Sequence, residues 1–241
     1  MIFDHLRFFH LIDWLLVMET EYYINMSGVY DGKQRCIDCR DVAGTNCYCD
    51  DAAKAVLRER LSVVPTDALH FLDSGNYHYL SYFFLERIKE DFALVLFDKH
   101  PDFQMPSFGD ILSCGGWVKN AWEDFPKLKK VYMVGVDPVL FFELKDVPKE
   151  VQLISVDEVA TLPMELPIYV SIDKDVLSEE YVACDWNQGE TTLFDMESAC
   201  KILKNHRLLG VDICGEKKEN PTAEELQKNE AVNEVLKNTF F

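Results

Sequence analysis

Residues 92–102 read Phe-Ala-Leu-Val-Leu-Phe-Asp-Lys-His-Pro-Asp, and residues 168–175 read Ile-Tyr-Val-Ser-Ile-Asp-Lys-Asp. Each segment is an apolar run of strand length that ends in carboxylates spaced two residues apart. In an extended backbone, alternate residues face the same way, so Asp98, His100 and Asp102 can converge on one point. Two carboxylates about 4 Å apart repel by roughly 4 kcal/mol at an effective dielectric of 20. The two segments together therefore predict a binuclear metal site.

Apolar runs of strand length recur along the chain and alternate with stretches that have helical spacing of apolar residues. The runs are 22–26, 69–72, 92–97, 131–136, 151–156, 168–172 and 208–213, and the helical stretches are 51–61, 79–89, 195–205 and 222–238. Asp195 and Thr222 are suitable N-caps for the last two helices. The alternation predicts an α/β fold with a mostly parallel central sheet and helices on both faces.

The chain contains no linker-like stretch, which predicts a single domain over residues 21–241. Residues 1–20 differ in character and are set apart as an N-terminal extension, within which Met18 could be an alternative start to Met1. This first segment is too short and too polar for a membrane span or a secretion signal.

Acidic residues at or near strand ends are expected to gather at one edge of the sheet. Asp73, Asp98, Asp173 and Asp212 each occupy such a position in the sequence. In open parallel sheets, ligands bind beyond the carboxyl ends of the strands. The candidate site is therefore expected at that edge.

Composition narrows the classes of partner. A formal net charge of −18, from 24 basic and 42 acidic residues, repels nucleic-acid phosphates and anionic lipid. Neither nucleic acid nor a membrane is an expected partner. Eight cysteines in a chain with a sizeable core do not require disulfides, which favours a reducing cytoplasm as the location.

The residue types around the two acidic segments favour one kind of metal. Carboxylates combined with imidazoles suit Mn²⁺, whereas thiolates favour zinc or iron-sulfur clusters. His78 lies in a loop that follows the apolar run 69–72 and would supply a second imidazole beside His100.

The Asp-x-His-x-Asp motif at 98–102, the Ser-Ile-Asp-x-Asp motif at 171–175 and the upstream His78 resemble the arginase and agmatinase (ureohydrolase) superfamily. The resemblance covers roughly residues 69–240, and the loops 44–50 and 113–117 look like those of short bacterial members. It implies an arginase-like three-layer fold and two manganese ions per chain. It also implies a ligand set in which one ion is held by His78, Asp98, Asp102 and Asp173, and the other by Asp98, His100, Asp173 and Asp175.

The resemblance further implies a hydrolase that cleaves a C–N bond of a small cationic guanidino or amidino compound. Glu216 would face the guanidinium, and a homo-oligomer is expected only by analogy with the family. The usual Asn-x-His-Gly segment has no counterpart, because residues 103–120 contain no histidine. The proton shuttle is then unassigned, and Asp102 or Asp175 could pass the proton through water.

Other positions carry weaker expectations. Trp186, Asn187 and Gln188 are candidate substrate contacts, although a solvated connection explains them equally well. Cys114, followed by two glycines, is a candidate pocket residue, and turn packing is the simpler interpretation. His70 alternates within an apolar strand, which is typical of a core residue with satisfied hydrogen bonds.

The cysteine cluster Cys36-x-x-Cys39 and Cys47-x-Cys49 allows more than one interpretation. A zinc knuckle would use two close thiolate pairs, but the second pair has only one intervening residue. A redox pair or simple buried thiols fits better, and Cys47 and Cys49 could lie in a loop that folds over the site.

Two rival classes stay open beside the ureohydrolase. A zinc-dependent deacetylase-like amidohydrolase would use one metal, but the second aspartate pair and the lack of a His-His dipeptide argue against it. A non-catalytic metal-binding protein is the other rival, because the shuttle histidine is missing.

Overall fold

A computed structural model describes residues 20–105, 109 and 111–241. Within these residues the strands are β1 (Glu21–Asn25), β2 (Cys36–Asp38), β3 (Tyr48–Cys49), β4 (Leu69–Phe71), β5 (Phe92–Phe97), β6 (Leu112–Ser113), β7 (Leu128–Val134), β8 (Val151–Ile154), β9 (Ile168–Asp173) and β10 (Leu208–Cys214). The α-helices are α1 (Asp51–Leu61), α2 (Ser81–Leu85), α3 (Trp117–Asp124), α4 (Pro138–Glu143), α5 (Leu193–Leu203) and α6 (Ala223–Phe240). The predicted N-terminal extension, except for Thr20, and the alternative start at Met18 lie outside the described residues.

One eight-stranded sheet forms the centre of the molecule, in the order β2-β1-β4-β10-β9-β5-β7-β8. All its strand pairings are parallel, and β3 and β6 form a separate antiparallel pair. The seven apolar runs predicted as strands all lie in the main sheet, which confirms the predicted parallel architecture. Strand β2 was not predicted because it has only three residues, none of them fully buried.

The central strands are buried on both faces, and alternate residues pack into two different cores. In β5, Leu94 and Leu96 pack with the apolar residues of α1, α2 and α3. The intervening Val95 and Phe97 pack with those of α5 and α6 on the other side of the sheet. Helices therefore cover both faces, which confirms the predicted three-layer arrangement. None of the helices in the described residues is long and apolar enough to cross a membrane.

The helix ends test the predicted N-caps, one of which was right and one wrong. The predicted helix 51–61 is α1, and Thr222 caps α6 by accepting a hydrogen bond from the Glu225 amide (3.2 Å). The prediction that Asp195 caps α5 was wrong. Thr192 is the cap, because its hydroxyl accepts from the Asp195 amide and donates to the Asp195 carboxylate.

Other helix predictions also needed revision. The predicted helix 79–89 is divided into a 3-10 helix over Gly75–Leu80 followed by the short helix α2. Helices α3 and α4 were not predicted. The 3-10 helix matters for the site because it carries His78.

The strand order places the predicted acidic residues at one edge of the sheet. Asp98 follows β5 directly, and Asp173 ends the adjacent strand β9. Strands β4 and β5 are separated in space by β10 and β9, so the segments that follow them diverge and leave a crevice between them. Asp212 lies within β10, opposite Ser171 of β9, rather than beyond the strand end.

Candidate metal centre

The six side chains predicted as metal ligands come together at the carboxyl edge of the sheet. His78 is supplied by the 3-10 helix after β4, and Asp98, His100 and Asp102 by the segment after β5. Asp173 ends β9, and Asp175 lies in the short 3-10 turn Lys174–Val176 that follows it. The spacing of two within each motif turns the functional side chains toward one crevice.

The first cluster of ligand atoms surrounds the buried ring of His78. Its Nδ1 atom lies 3.0 Å from Asp102 Oδ2, 3.2 Å from Asp98 Oδ2 and 3.7 Å from Asp173 Oδ2. These four side chains are all buried. One nitrogen thus faces three carboxylate oxygens, and it belongs to two groups that could hold a metal ion, one with Asp98 and Asp102 and one with Asp173 and Cys214.

The second cluster surrounds His100. Its Nδ1 atom lies 2.9 Å from Asp175 Oδ2 and 3.4 Å from Asp98 Oδ1. Asp98 therefore presents one oxygen to each cluster. Asp173 stands beside both clusters, with Oδ2 toward His78 and Oδ1 accepting the Asp175 amide at 3.0 Å.

A hydrogen-bond chain fixes the orientation of His78. Its Nε2 atom contacts Ser171 Oγ at 2.9 Å, and that hydroxyl donates to Asp212 Oδ1 at 2.5 Å. Because the Ser171 hydrogen points to Asp212, Nε2 carries the proton and Nδ1 presents a lone pair to the carboxylates. Partners of this kind are typical behind metal-binding histidines, because they set the tautomer.

The unpaired atoms of the cluster fit a cation. His78 Nδ1 and Asp98 Oδ2 are buried, lie 3.2 Å apart and have no hydrogen-bond partner. A lone pair facing three carboxylate oxygens in a buried crevice is costly without a positive charge between them. The donor set of carboxylate oxygens and imidazole nitrogens is one that Mn²⁺ accepts.

Burial also alters the acidity of these groups. It raises the pKa of Asp98, to which the neighbouring Asp102 charge adds, and it raises the pKa of Asp175 to about 6. Burial opposes charge on His78, but the adjacent carboxylates of Asp102 and Asp98 outweigh it and raise the pKa of the ring well above its usual value. Protons and metal ions therefore compete for the same atoms.

A cavity of about 290 Å³, hereafter the metal pocket, opens onto the two clusters. Its walls include the metal-cluster carboxylates, His100, Trp186, Cys114 and Cys47. Sequence reasoning missed Trp117, whose indole Nε1–H donates to Asp102 Oδ2 at 2.8 Å. It also missed the role of Ser171. The tryptophan could have been suspected only from its place after two glycines.

The structure separates the three predicted substrate contacts in the loop 186–188. Trp186 lines the metal pocket, and its ring meets His100 edge-on at 5.9 Å. Asn187 Oδ1 lies 2.9 Å from His100 Nε2, so it orients that ring. The Gln188 side chain holds the loop together through hydrogen bonds to the backbone. Its Oε1 atom accepts from the Cys184 amide, and its Nε2 atom donates to the carbonyls of Leu177 and Val182. Of the three, only Trp186 lines the metal pocket.

Glu216 differs from its expected position facing a substrate. Its Oε1 atom accepts hydrogen bonds from Lys174 Nζ (2.7 Å), Asn233 Nδ2 (2.7 Å) and Tyr30 Oη (3.1 Å), and Oε2 accepts from Asn229 (3.1 Å). Glu216 is buried and is not among the described residues that line the metal pocket. Lys174, which points away from its two aspartate neighbours, neutralises this carboxylate.

The predicted cysteine cluster does not form a shared site. Of the described groups that could hold a metal ion, none includes Cys36, Cys39, Cys47 or Cys49. Cys39 and Cys49 are buried within the apolar core. Cys47 instead faces Cys114, and both line the metal pocket.

Comparison with known proteins places this arrangement in a family. The model of the "Arginase family" matches residues 24–217. A protein of Thermotoga maritima described as uncharacterized is 33% identical over 180 residues, which cover 71% of this chain and 67% of that protein.

Solved structures show the same fold at lower identity. A hypothetical agmatinase from Burkholderia thailandensis is 18% identical with a TM-score of 0.58, covering 78% of this chain and 62% of that one. An arginase from Medicago truncatula is 19% identical with a TM-score of 0.62, covering 79% of this chain and 66% of that one. This chain thus spans less than two thirds of the length of either structure. The extent of the family match and the Thermotoga relative show that the chain belongs to the arginase family.

Proposed function

We propose that this chain is a binuclear, manganese-dependent hydrolase that cleaves a C–N bond of a small guanidino or amidino compound. One ion would be held by His78, Asp98, Asp102 and Asp173. The other would be held by Asp98, His100, Asp173 and Asp175, with Asp98 and Asp173 shared. The protein would act in the cytoplasm.

The observation that carries the proposal is that His78 Nδ1 lies 3.2 Å from Asp98 Oδ2. Both atoms are buried without a hydrogen-bond partner. The chain through Ser171 to Asp212 holds the ring in the tautomer that leaves Nδ1 free to bind a cation. Membership of the arginase family and the second cluster around His100 support two ions rather than one.

The two ions, when bound, supply Lewis acidity that brings the pKa of water toward neutrality, which makes a nucleophile available at pH 7. The protein contributes orientation and proton handling. Trp117 fixes Asp102 through Oδ2, which leaves Oδ1 to carry a proton to the departing amine. Asp175 is the second candidate for that transfer. Asn187 keeps the His100 ring in place.

The metal pocket also suggests how a cationic substrate is held. Its walls carry two aromatic rings, Trp186 and Tyr48, each 42% exposed. An aromatic face attracts a planar guanidinium by cation–π contact. Because Glu216 is paired with Lys174, we propose that Trp186, with Cys114 on the wall beside it, contacts the substrate in place of a carboxylate.

A substrate screen tests the proposal. Protein stripped of metal and reloaded with Mn²⁺ is assayed for urea release from arginine, agmatine and guanidinobutyrate, and for formamide release from formiminoglutamate. We expect manganese-dependent hydrolysis of at least one compound. Asp98→Asn should reduce it by more than about 100-fold, because the shared ligand is lost from both ions.

Asp91→Asn is the matched control, because this aspartate pairs only with Lys127 on the surface. It should keep full activity. Inactivity on all four compounds, together with an Asp98→Asn variant that changes only stability, would contradict the proposed hydrolase. A single tightly bound zinc would instead favour the deacetylase-like alternative.

A further inference from the structure

Cys47 and Cys114 both line the metal pocket, beside the paired strands β3 and β6. Strands β3 and β6 are antiparallel, with Tyr48 opposite Ser113, so Cys47 and Cys114 are the next opposed pair. The Cys114 amide donates to the Cys47 carbonyl at 2.9 Å. Opposed residues of an antiparallel strand pair have Cα atoms about 4.5 to 5.5 Å apart. This separation falls within the range of about 4.4 to 6.8 Å that a disulfide spans.

The two thiols also point to the same side. Both side chains line the metal pocket. Cys49, the nearest cysteine in sequence, is buried in the apolar core instead. Cys47 and Cys114 are only partly buried, so a small reagent can reach them.

The backbone holds Cys47 in an uncommon conformation. Its φ angle is +62°, in the left-handed region that side chains with a Cβ rarely adopt. Such conformations persist where the surrounding structure fixes them, and they are concentrated at functional sites. Here the conformation belongs to the residue just before β3, whose carbonyl accepts the Cys114 amide.

We propose that Cys47 and Cys114 are a redox modification site that forms a reversible disulfide in the wall of the metal pocket. The bond would tie the loop before β3 to the segment after β6, and both of these segments line the pocket. The proposal does not depend on the substrate or on the hydrolase activity.

The exchange requires an oxidant, which we take to be a small disulfide such as oxidised glutathione. The Cys47 thiolate attacks one sulfur of that disulfide, and the other sulfur leaves as a glutathione thiolate that takes a proton. Cys114 then loses its proton and attacks the Cys47 sulfur, which releases the second glutathione thiol. The two protein thiols are thus oxidised, and one glutathione disulfide is reduced to two thiols.

Cys47 is the better attacking group. The interaction with Cys114 lowers the pKa of Cys47, and nearby Lys218 adds to this against the effect of burial. The same interaction, together with burial, raises the pKa of Cys114. Of two thiols, the one with the lower pKa has more of the reactive thiolate.

The test uses the full chain, in metal-free and manganese-loaded forms, equilibrated with mixtures of reduced and oxidised glutathione. Free thiols are alkylated under denaturing conditions, and peptides are mapped by mass spectrometry. We expect loss of two of the eight thiols, a linked peptide pair containing Cys47 and Cys114, and reversal by dithiothreitol. Cys36, which is also partly buried, should stay a free thiol at every glutathione ratio and therefore be alkylated. It serves as the internal control.

Two variants test the order of the steps. Cys114→Ser should accumulate a glutathione adduct on Cys47, whereas Cys47→Ser should leave Cys114 as a thiol. Cys36→Ser should still form the linked pair. The proposal is overturned if folded protein keeps both thiols at every glutathione ratio, or if Cys47 links to Cys49.

Discussion

At the scale of single residues, the hydrogen bonds of His78 determine which ring nitrogen faces the carboxylates. Ser171 Oγ accepts a hydrogen bond from its Nε2–H and donates one to Asp212. These two residues lie opposite each other on β9 and β10, so the sheet register itself sets the ring orientation. The lone pair on Nδ1 is then directed at Asp98 and Asp102.

Ser171→Ala should weaken Mn²⁺ binding by about 10- to 100-fold, because His78 loses the partner that fixes its tautomer. Competition for Mn²⁺ against a fluorescent chelator measures the effect. Ser62→Ala removes a hydroxyl that bonds only the end of α1 and should leave the affinity unchanged. Equal affinities for the Ser171 variant and the wild type would refute the orienting role.

At the scale of elements, Lys174 joins β9 to the segment after β10 and to α6. Its side chain is fully buried, and its Nζ atom donates to Glu216 at 2.7 Å and to Asn233 of α6 at 2.9 Å. Removing one partner of a buried ion pair leaves the other charge uncompensated. The ion pair of Lys174 and Glu216 therefore holds the end of β9 to the segment after β10 through charge as well as packing.

Lys174→Met should lower the free energy of unfolding by about 3 to 5 kcal/mol, because Glu216 stays buried without its cation. Urea denaturation measures the loss. The double variant Lys174→Met, Glu216→Leu should recover most of it. Lys127→Met, which breaks only the exposed pair with Asp91, should cost less than about 1 kcal/mol. A single variant as stable as wild type would contradict this account of the pair.

The same elements show what the sequence could and could not predict. Apolar runs and carboxylates spaced two apart identified the strands and the cluster of aspartate and histidine side chains, because both signals depend on neighbouring residues. The partner of Glu216 depends on how β10 packs against α6, and no local pattern encodes that contact. Cys47 and Cys114 meet through the pairing of two-residue strands, which are too short to be recognised in advance.

At the scale of the whole molecule, His70 links folding to pH. It is fully buried in β4, its Nε2 atom lies 2.7 Å from the Pro65 carbonyl, and Tyr169 Oη lies 3.3 Å from Nδ1. These contacts agree with the predicted core role. Burial lowers the pKa of His70 to about 4, whereas the unfolded chain titrates near about 6.5.

Because the unfolded chain binds a proton that folded His70 does not, this contribution to stability is complete above about pH 6.5. It falls as the pH drops toward 4, by up to about 3 kcal/mol. His70→Gln should therefore show a weaker loss of stability over this range. Urea denaturation of metal-free protein at several pH values measures the difference, and identical pH profiles would contradict it. Burial raises the pKa of Asp212 to about 6. Its contribution to stability therefore grows as the pH falls, in the wild type and in the His70 variant alike.

The central claim is that one crevice at the sheet edge holds two ions. Native mass spectrometry of protein reloaded with excess Mn²⁺ tests it most directly, because it counts the ions on each chain. We predict two manganese ions on the wild type, and one each on His78→Ala and His100→Ala, because each variant removes a ligand of a different ion. A wild-type chain that takes up no more than one ion, or a His100→Ala variant that keeps two, would contradict the claim.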